Sequence, residues 1–253
     1  MMKSYDCFET ADSLEYTISG TGVPTLDRLL GGGYEHGLMH LFYGDPIFHD
    51  DLLRATVWAQ LSKECGGFES PVIVIDSSNM IDTMKLNDYA SEYELETETV
   101  LDNIFISRAF NSSQTYDLVI NHLDEFLERF PVKLLILPGL PDLFVGEGYD
   151  AERAQQVTHM AAKLLSTTLT HELVTLISTE QPVGSYNQPV ISRALASSAQ
   201  VHIHVEQTPM RILYSMLKHP SLPPRTESNS KYIPKYGVTL PLQHFFDEDL
   251  TTT

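Results

Sequence analysis

The chain has 253 residues, 42% of them hydrophobic, which is ample material for one large core. Acidic side chains outnumber basic ones 34 to 16, for a net charge of −18. This balance argues against a protein that grips DNA with a broadly basic surface, because phosphate neutralisation supplies most of that affinity. The sequence has no apolar run approaching the roughly 20 residues of a membrane span, and its polar first ten residues do not form a secretory signal. Two cysteines are too few for a disulfide framework, so a reducing, cytoplasmic setting is expected.

Short apolar runs alternate with helical patterns through the first two thirds of the chain. The runs predict buried strands at Met39–Tyr43, Pro71–Asp76, Asn103–Ser107, Lys133–Leu137 and Leu173–Ser178. Between them, apolar residues at helical spacing predict helices over Ser113–Phe130, with Ser113 as its N-cap, and over Asp150–Thr170. This alternation is typical of a doubly wound α/β sheet with right-handed crossovers.

The last third of the chain has a different pattern. Gln200–Val205 and Arg211–Leu217 flank a turn that contains Pro209, and together they predict an antiparallel hairpin at the sheet edge. A proline-rich loop, His219–Pro224, follows, and the chain ends in an acidic tail.

The segment Gly44–Leu52 follows the first buried strand, where nucleotide-binding α/β proteins have their phosphate loop. Such a loop needs glycines whose backbone N–H groups cradle phosphates, a lysine for the β- and γ-phosphates, and a serine or threonine for Mg²⁺. After Gly44 none of these is present, and the last three positions of the loop are His49, Asp50 and Asp51. Two carboxylates suit the start of a helix but repel a triphosphate.

Five segments, in the same order along the chain, resemble archaeal RadA recombinases and their paralogs in the RecA/RadA superfamily. They are Thr21–Gly33, Asn103–Ser113, Val132–Leu137, Glu152–Gln156 and Leu217–Pro223. The resemblance covers about residues 8–240. It implies a RecA-like, doubly wound and mostly parallel sheet with a C-terminal antiparallel hairpin extension.

The resemblance also implies where the catalytic groups of the family would lie. Asp50 and Asp51 stand at the lysine and threonine of the phosphate loop, Ser78 at the catalytic glutamate, and Pro138 at the aspartate of the Walker B strand. Gln181 keeps the glutamine that begins the second DNA loop of the family. Because phosphate, metal and water-activating groups are replaced together, we expect a pseudo-ATPase without nucleotide, metal or other cofactor.

The segments that resemble the DNA loops of the family are poor in basic residues. Leu140–Tyr149 contains no lysine or arginine, and Pro182–Ala194 contains only Arg193. Arg108 and Arg153 are nearby, and for both we expect a structural ion pair. DNA binding is therefore expected to be weak, or to occur through a partner.

A short motif near the start of the chain suggests a partner. Phe8 and Ala11 form an F-x-x-A segment, which in RadA-type recombinases adds to the edge of the neighbouring subunit's sheet. The expected organisation is an N-terminal docking tail over residues 1–17, a RecA-like core over 18–246 and an acidic tail over 247–253.

These features predict a non-catalytic RadA-like paralog that binds and modulates a RadA-type recombinase, or another paralog, in archaeal-type homologous recombination and DNA repair. Two alternatives stay open: a nucleotide-binding regulator similar to KaiC-like proteins, and a single-strand DNA-binding accessory protein. His202 and His204 share one strand face but lack the spacing of a zinc site, which favours a structural role for both.

Overall fold

The computed structural model describes residues 16–148, 150–180 and 193–230. Within these residues an eight-stranded sheet has the order β10-β9-β8-β3-β7-β6-β4-β5, and a separate two-stranded sheet pairs β1 with β2. The strands are β1 (Ile18–Ser19), β2 (Tyr34–Glu35), β3 (Met39–Gly44), β4 (Val72–Asp76), β5 (Ile104–Arg108), β6 (Leu134–Leu137), β7 (Val174–Glu180), β8 (Val201–Gln207), β9 (Arg211–Lys218) and β10 (Arg225–Ser230).

The larger sheet is parallel from β8 to β5, and β9 and β10 extend it in antiparallel fashion beyond β8. The predicted strands and the predicted hairpin, formed by β8 and β9, are confirmed within one or two residues at most ends. The sequence does not predict β10, because Arg225–Ser230 is polar throughout. This strand forms by pairing with Arg211–Met216 of β9.

Helices cover both faces of the sheet. They are α1 (Pro24–Leu30), α2 (Phe48–Trp58), α3 (Thr83–Glu92), α4 (Thr97–Asp102), α5 (Ser112–Asp117), α6 (Leu123–Arg129), α7 (Asp142–Gly146), α8 (Ala151–His171) and α9 (Arg193–Ser198). Alternate residues of the strands point into two cores, one on each face of the sheet. Phe42 belongs to the core that includes residues of α1 to α4, and Leu41 belongs to the core that includes residues of α6 to α9. The sheet is therefore buried on both faces, as its continuous apolar strands predict.

The helix predicted over residues 113–130 begins one residue earlier than predicted and is interrupted in its middle. The predicted cap, Ser113, is wrong: Asn111 is the N-cap, and its side chain accepts a hydrogen bond from the backbone N–H of Gln114. A π-helical turn over Leu118–His122 then joins α5 to α6. The second predicted helix is confirmed as α8, with the Asp150 carboxylate capping its first turn.

Several expected features fall outside the described residues. They are Phe8 and Ala11, Gln181 in the second DNA loop, and the acidic tail over residues 247–253. In the described part of the chain, none of the helices has the length and apolar character needed to cross a bilayer.

Candidate functional site

The turn between β3 and α2 is packed tightly against β8. Gly44 has a φ of +111°, and a Cβ atom there would lie 2.2 Å from the carbonyl oxygen of Val205. The next residue, Asp45, donates its backbone N–H to the same carbonyl at 2.8 Å. Glycine is required at this point because any side chain would collide with the neighbouring strand.

After Asp45, three backbone N–H groups of this turn donate to acceptors within the turn itself. The Asp45 carboxylate accepts a hydrogen bond from the N–H of Ile47 at 3.1 Å. The N–H of His49 donates to the carbonyl of Pro46 at 2.9 Å, and that of Asp50 donates to the carbonyl of Ile47 at 3.1 Å. A phosphate loop instead leaves such groups free to bind the ligand.

Phe48 holds this turn in place. Its side chain is fully buried and packs against the Phe42 ring, with 6.4 Å between ring centroids. The second glycine of a phosphate loop, where the backbone approaches the phosphates closely, corresponds to the next residue, His49. The turn is therefore fixed to the core by an aromatic ring directly before that position.

The two adjacent aspartates point to opposite sides of α2. Asp50 accepts a hydrogen bond and forms an ion pair with Lys85 of α3 at 2.5 Å. Asp51 is only 8% exposed, and its carboxylate accepts a hydrogen bond from the hydroxyl of Tyr214 on β9 at 2.9 Å. Burial raises the pKa of Asp51 to about 7, and the hydrogen bond from Tyr214 offsets only part of this effect.

The loop after β4 folds around a different carboxylate. Asp76 is buried and accepts hydrogen bonds from the backbone N–H groups of Ser78, Met80 and Ile81, at 2.9–3.3 Å. Its other neighbour is the guanidinium of Arg108, 3.9 Å away, so the expected pairing of this arginine is confirmed. Asp76 therefore shapes the loop and is fully engaged in doing so.

Two of the four replaced catalytic positions line a common cavity. Asp50 and Ser78 lie on the wall of a cavity of about 580 Å³, which also includes His49 and Lys85. The hydroxyl of Ser78 is buried and has no hydrogen-bond partner within the described residues. Asp51 lines a second cavity, whose wall also includes Asp50, and Pro138 is not part of either wall.

Sequence reasoning missed a further carboxyl group at this edge, Asp142 at the start of α7. It accepts hydrogen bonds from the hydroxyl of Thr179 and from the backbone N–H of Glu180, joining α7 to the end of β7. Burial raises the pKa of Asp142 to about 6. The available clue was its position, four residues beyond Pro138 at the end of a buried strand.

Comparison with known proteins identifies the family. The family model described as Rad51 matches residues 15–212. The chain belongs to the Rad51 family. Two curated relatives are the meiotic recombination protein DMC1/LIM15 homologs of Mus musculus and Homo sapiens, each 32% identical over 151 residues. That match covers 57% of this chain and 44% of each relative, so the chain spans less than half the length of these relatives.

Membership in the Rad51 family confirms the RecA-type fold implied by the sequence resemblance.

The segment that resembles the first DNA loop is held by an ion-paired network. Glu147 accepts hydrogen bonds from the backbone N–H and the hydroxyl of Ser112, at 2.9 and 2.5 Å, and these bonds lower its pKa. Arg153 pairs with Asp150 at 2.8 Å and with Glu147 at 3.6 Å, as expected. No arginine of this network is left to neutralise a phosphate.

The opposite end of the sheet from β10 presents an open edge in this Rad51-family chain. Within the described residues, β5 pairs only with β4, so its outer backbone groups face away from the sheet. Beside it lies a small, mainly apolar cavity of about 130 Å³, whose wall includes Phe105, Leu118 and Phe126. Ile106 on the same strand is 41% exposed and Phe110 beyond it is 75% exposed. Exposed apolar side chains beside an unpaired strand are typical of a site for β-strand addition.

The histidines of β8 make separate contacts. The Nε2 atom of His202 lies 2.8 Å from the carbonyl oxygen of Ala196, and the His204 ring centroid lies 5.1 Å from that of Tyr43. In the portion of the chain that the structure describes, no three His, Cys, Asp or Glu side chains are grouped so as to hold a metal ion. These contacts favour the structural role for both residues.

Proposed function

We propose that this Rad51-family chain is a non-catalytic paralog that binds a recombinase and modulates it in homologous recombination and DNA repair. Its family and its similarity to meiotic recombination proteins support a role in recombination. One observation carries the non-catalytic part: the turn at the phosphate-loop position is closed by its own hydrogen bonds and bears Asp50 and Asp51.

A bound triphosphate would meet two obstacles at this turn. The N–H groups of His49 and Asp50 would have to leave their carbonyl partners, at a net cost of about 1 kcal/mol for each hydrogen bond. The Asp50 carboxylate would also repel each phosphate charge, by about 4 kcal/mol for unit charges 4 Å apart near a protein surface. Nucleotide binding is therefore opposed by both the backbone and the side chains.

The chemistry of phosphoryl transfer also lacks its usual groups. Pro138 offers no ligand for Mg²⁺, and the Ser78 hydroxyl is a poor substitute for a carboxylate that positions water. Asp142 is an additional carboxyl group at this edge of the sheet, but Thr179 and Glu180 already donate to it. These features support a pseudo-ATPase.

Isothermal titration calorimetry of the whole chain with ATP and Mg²⁺ tests this part of the proposal. We expect no binding in the micromolar range that is usual for working sites. A double variant, Asp50→Lys with Asp51→Thr, distinguishes repulsion by the carboxylates from occlusion by the hydrogen-bonded turn. We expect that this variant also fails to bind ATP in the micromolar range, because the turn keeps its internal hydrogen bonds. A micromolar dissociation constant for the unmodified chain contradicts the proposal.

The partner-binding part of the proposal depends on β-strand addition, for which this chain has both a candidate donor segment and a candidate acceptor edge. The F-x-x-A segment with Phe8 and Ala11 can donate a strand, and the open edge of β5 with its apolar cavity can accept one. A subunit that docks in this way without binding ATP interrupts a row of nucleotide-dependent contacts. We therefore propose that it acts at the end of a recombinase assembly or at a break in it.

A pull-down with the host's RadA-type recombinase tests the docking segment. Burial of a phenylalanine ring contributes about 1.5–3 kcal/mol, so Phe8→Ala is expected to weaken retention roughly ten-fold or more. Tyr5→Ala, which removes another aromatic ring from the same segment, serves as the matched control and should be retained normally. Equal retention of the Phe8→Ala variant and the unmodified chain removes the motif from the mechanism.

A nucleotide-binding regulator is the second candidate function. The cavity of about 580 Å³ beside α2 favours it, since small-molecule sites commonly have this size. The same calorimetry, extended to ADP and to nucleotides without Mg²⁺, decides between the two candidates.

A further inference from the structure

A second cavity, of about 350 Å³, lies beside α2, and Asp50 and Asp51 are both on its wall. Five elements form its wall: the start of α1, α2, α3, β9 and β10. Apolar walls come from Val23, Pro24 and Ile212, and aromatic walls come from Tyr89 and Tyr214. The buried carboxylate of Asp51 also lies on this wall.

The charges around this cavity leave one carboxylate without a counter-ion. Asp50 pairs with Lys85, and Glu92 pairs with Arg54 at 2.7 Å. Asp51 forms no ion pair among the described residues, and its described hydrogen bond comes from a neutral phenol. A buried carboxylate with only a neutral donor is costly, because burial disfavours its charged form.

A buried phenol lies on the protein side of the same carboxylate. The hydroxyl of Tyr34 is inaccessible to solvent and has no hydrogen-bond partner among the described residues. Burial, and next the charge of Asp51, raise the pKa of Tyr34. The polar groups around Asp51 are therefore incompletely satisfied by the chain itself.

The cavity wall already accommodates one cation. The guanidinium carbon of Arg54 lies 4.2 Å from the centroid of the Tyr89 ring, which is cation–π geometry. That guanidinium also donates to Glu92 and to the Tyr93 hydroxyl, at 2.7 and 3.0 Å. Its direct partners are therefore on α3. Its charge also acts to lower the pKa of Asp51, but burial outweighs this effect and the pKa stays raised.

The composition of the wall selects a chemical class of ligand. Three carboxylates on the wall exclude an anion, and a single uncompensated charge is a poor site for a divalent ion, which needs several oxygen ligands. Apolar and aromatic walls around one carboxylate instead suit an alkyl chain that ends in an ammonium group. Lysine side chains have this structure, and a net charge of −18 favours partners with a basic surface.

We propose that this cavity binds a lysine side chain of a protein partner, with the Asp51 carboxylate as counter-ion and Tyr89 and Tyr214 against the alkyl chain. The site is distinct from the F-x-x-A segment and from the open edge of β5. It does not require the partner to be a recombinase.

Nuclear magnetic resonance of the whole chain, with ¹³C-labelled tyrosine rings, tests the site. The probe is N-acetyl-lysine amide, the neutral control is N-acetyl-norleucine amide, and spermidine represents free polyamines. We expect saturable shifts of the Tyr89 and Tyr214 rings with the lysine probe, none with the norleucine control, and no tighter binding of spermidine than of the lysine probe. Asp51→Asn, which keeps an acceptor for Tyr214 and removes the charge, should weaken this binding at least ten-fold, whereas Asp88→Asn, on the exposed side of α3, should leave it unchanged.

The pH dependence of the unmodified chain provides a test that needs no variant. The groups that face Asp51 or surround its cavity are Asp50, Arg54, Tyr214, Tyr34, Tyr89 and Glu92. Because the pKa of Asp51 is about 7 and that of lysine is about 10, affinity for the lysine probe should rise about ten-fold from roughly pH 6 to pH 8. The norleucine control should show no such rise.

Three results overturn the proposal. They are equal binding of the norleucine and lysine probes, undiminished binding of the lysine probe to Asp51→Asn, and absence of saturable shifts at any pH. Spermidine binding at least ten-fold tighter than the lysine probe assigns the site to a free polyamine and overturns the protein partner. None of these results depends on whether the chain binds ATP or a recombinase.

Discussion

The turn after β3 and the outer edge of β5 differ in how completely their polar groups are paired. The turn between β3 and α2 is closed: its backbone N–H groups, its aspartates and the Phe48 ring all have partners inside the chain. Among the described residues, the outer edge of β5 pairs with no strand, and it carries the exposed side chains of Ile106 and Phe110. The phosphate loop of a nucleotide-binding protein contacts its ligand. In this chain the turn at that position is hydrogen-bonded internally, whereas the outer edge of β5 presents unpaired backbone groups and apolar side chains. The difference supports the proposal that this chain binds a protein partner and not a nucleotide.

Deleting a ring from each region gives the largest expected contrast. Phe48→Ala should lower the free energy of unfolding by about 3–5 kcal/mol, because it leaves a cavity beneath the closed turn. Phe110→Ala should change it by less than about 0.5 kcal/mol, because this ring is mostly in solvent. Urea denaturation followed by circular dichroism measures both values. Similar losses for the two variants would mean that the turn is not held by its buried ring.

The buried aspartate of the closed region makes stability depend on pH. The folded-state pKa of Asp51 is about 7 against 3.8 for the unfolded chain, so its contribution is most favourable below pH 4 and is lost as the pH rises through 7. Asp51→Asn removes this dependence and should raise the free energy of unfolding at pH 8 by roughly 2–4 kcal/mol. Thermal unfolding of both proteins at pH 5 and pH 8 measures it. If the difference in stability between Asp51→Asn and the unmodified chain is no larger at pH 8 than at pH 5, Asp51 is not a buried carboxyl group with a raised pKa.

Two glycines test how tightly the closed turn is packed. Gly44→Ala should destabilise the chain by about 1–3 kcal/mol, since the methyl group meets the carbonyl of Val205 at a positive φ. Gly146→Ala is the matched control: a Cβ atom at Gly146 meets nothing within 4 Å, and alanine favours the helix by up to about 1 kcal/mol. Melting temperatures should therefore move in opposite directions. A Gly44→Ala protein as stable as the unmodified chain would show that the contact with β8 is loose.

A charge on the open edge tests whether β5 receives a partner. Ile106→Lys should weaken binding to the host's recombinase about ten-fold while the melting temperature stays within a few degrees, because the side chain is half in solvent. Surface plasmon resonance gives the affinity. Met84→Lys, at another exposed apolar residue on α3, is the control and should bind normally. Unchanged affinity for Ile106→Lys excludes this edge from the interface.

The smallest expected effect is on DNA. Arg153→Ala should change the affinity for single-stranded DNA by less than two-fold, because this arginine is already paired with Glu147 and Asp150. Binding by the unmodified chain should itself be weak at physiological salt. A gel shift at two salt concentrations measures both quantities. A tight complex that survives moderate salt and is lost in Arg153→Ala would restore the single-strand DNA-binding alternative.

The amino-acid sequence by itself determined the family, the parallel strands and the replaced residues at the phosphate-loop position. These depend on local patterns: continuous apolar runs for strands buried on both faces, and residue identities at positions such as Asp50 and Pro138. The pairing of Arg153 is local, because Asp150 and Glu152 stand beside it in the chain, whereas the partner of Arg108, Asp76, comes from another strand.

Only the tertiary structure decided how these residues are used. Asp50 and Asp51 are adjacent in sequence, yet one meets Lys85 on α3 and the other meets Tyr214, 163 residues away on β9. The polar strand β10 exists because β9 offers it backbone partners, and no pattern of its own predicts it. Asp51 is buried by elements that pack together only in the folded chain. This burial raises its pKa, and among the described residues Asp51 forms no ion pair. Local propensity fixes which elements form, whereas the solvation and partners of a side chain depend on contacts between residues far apart in sequence.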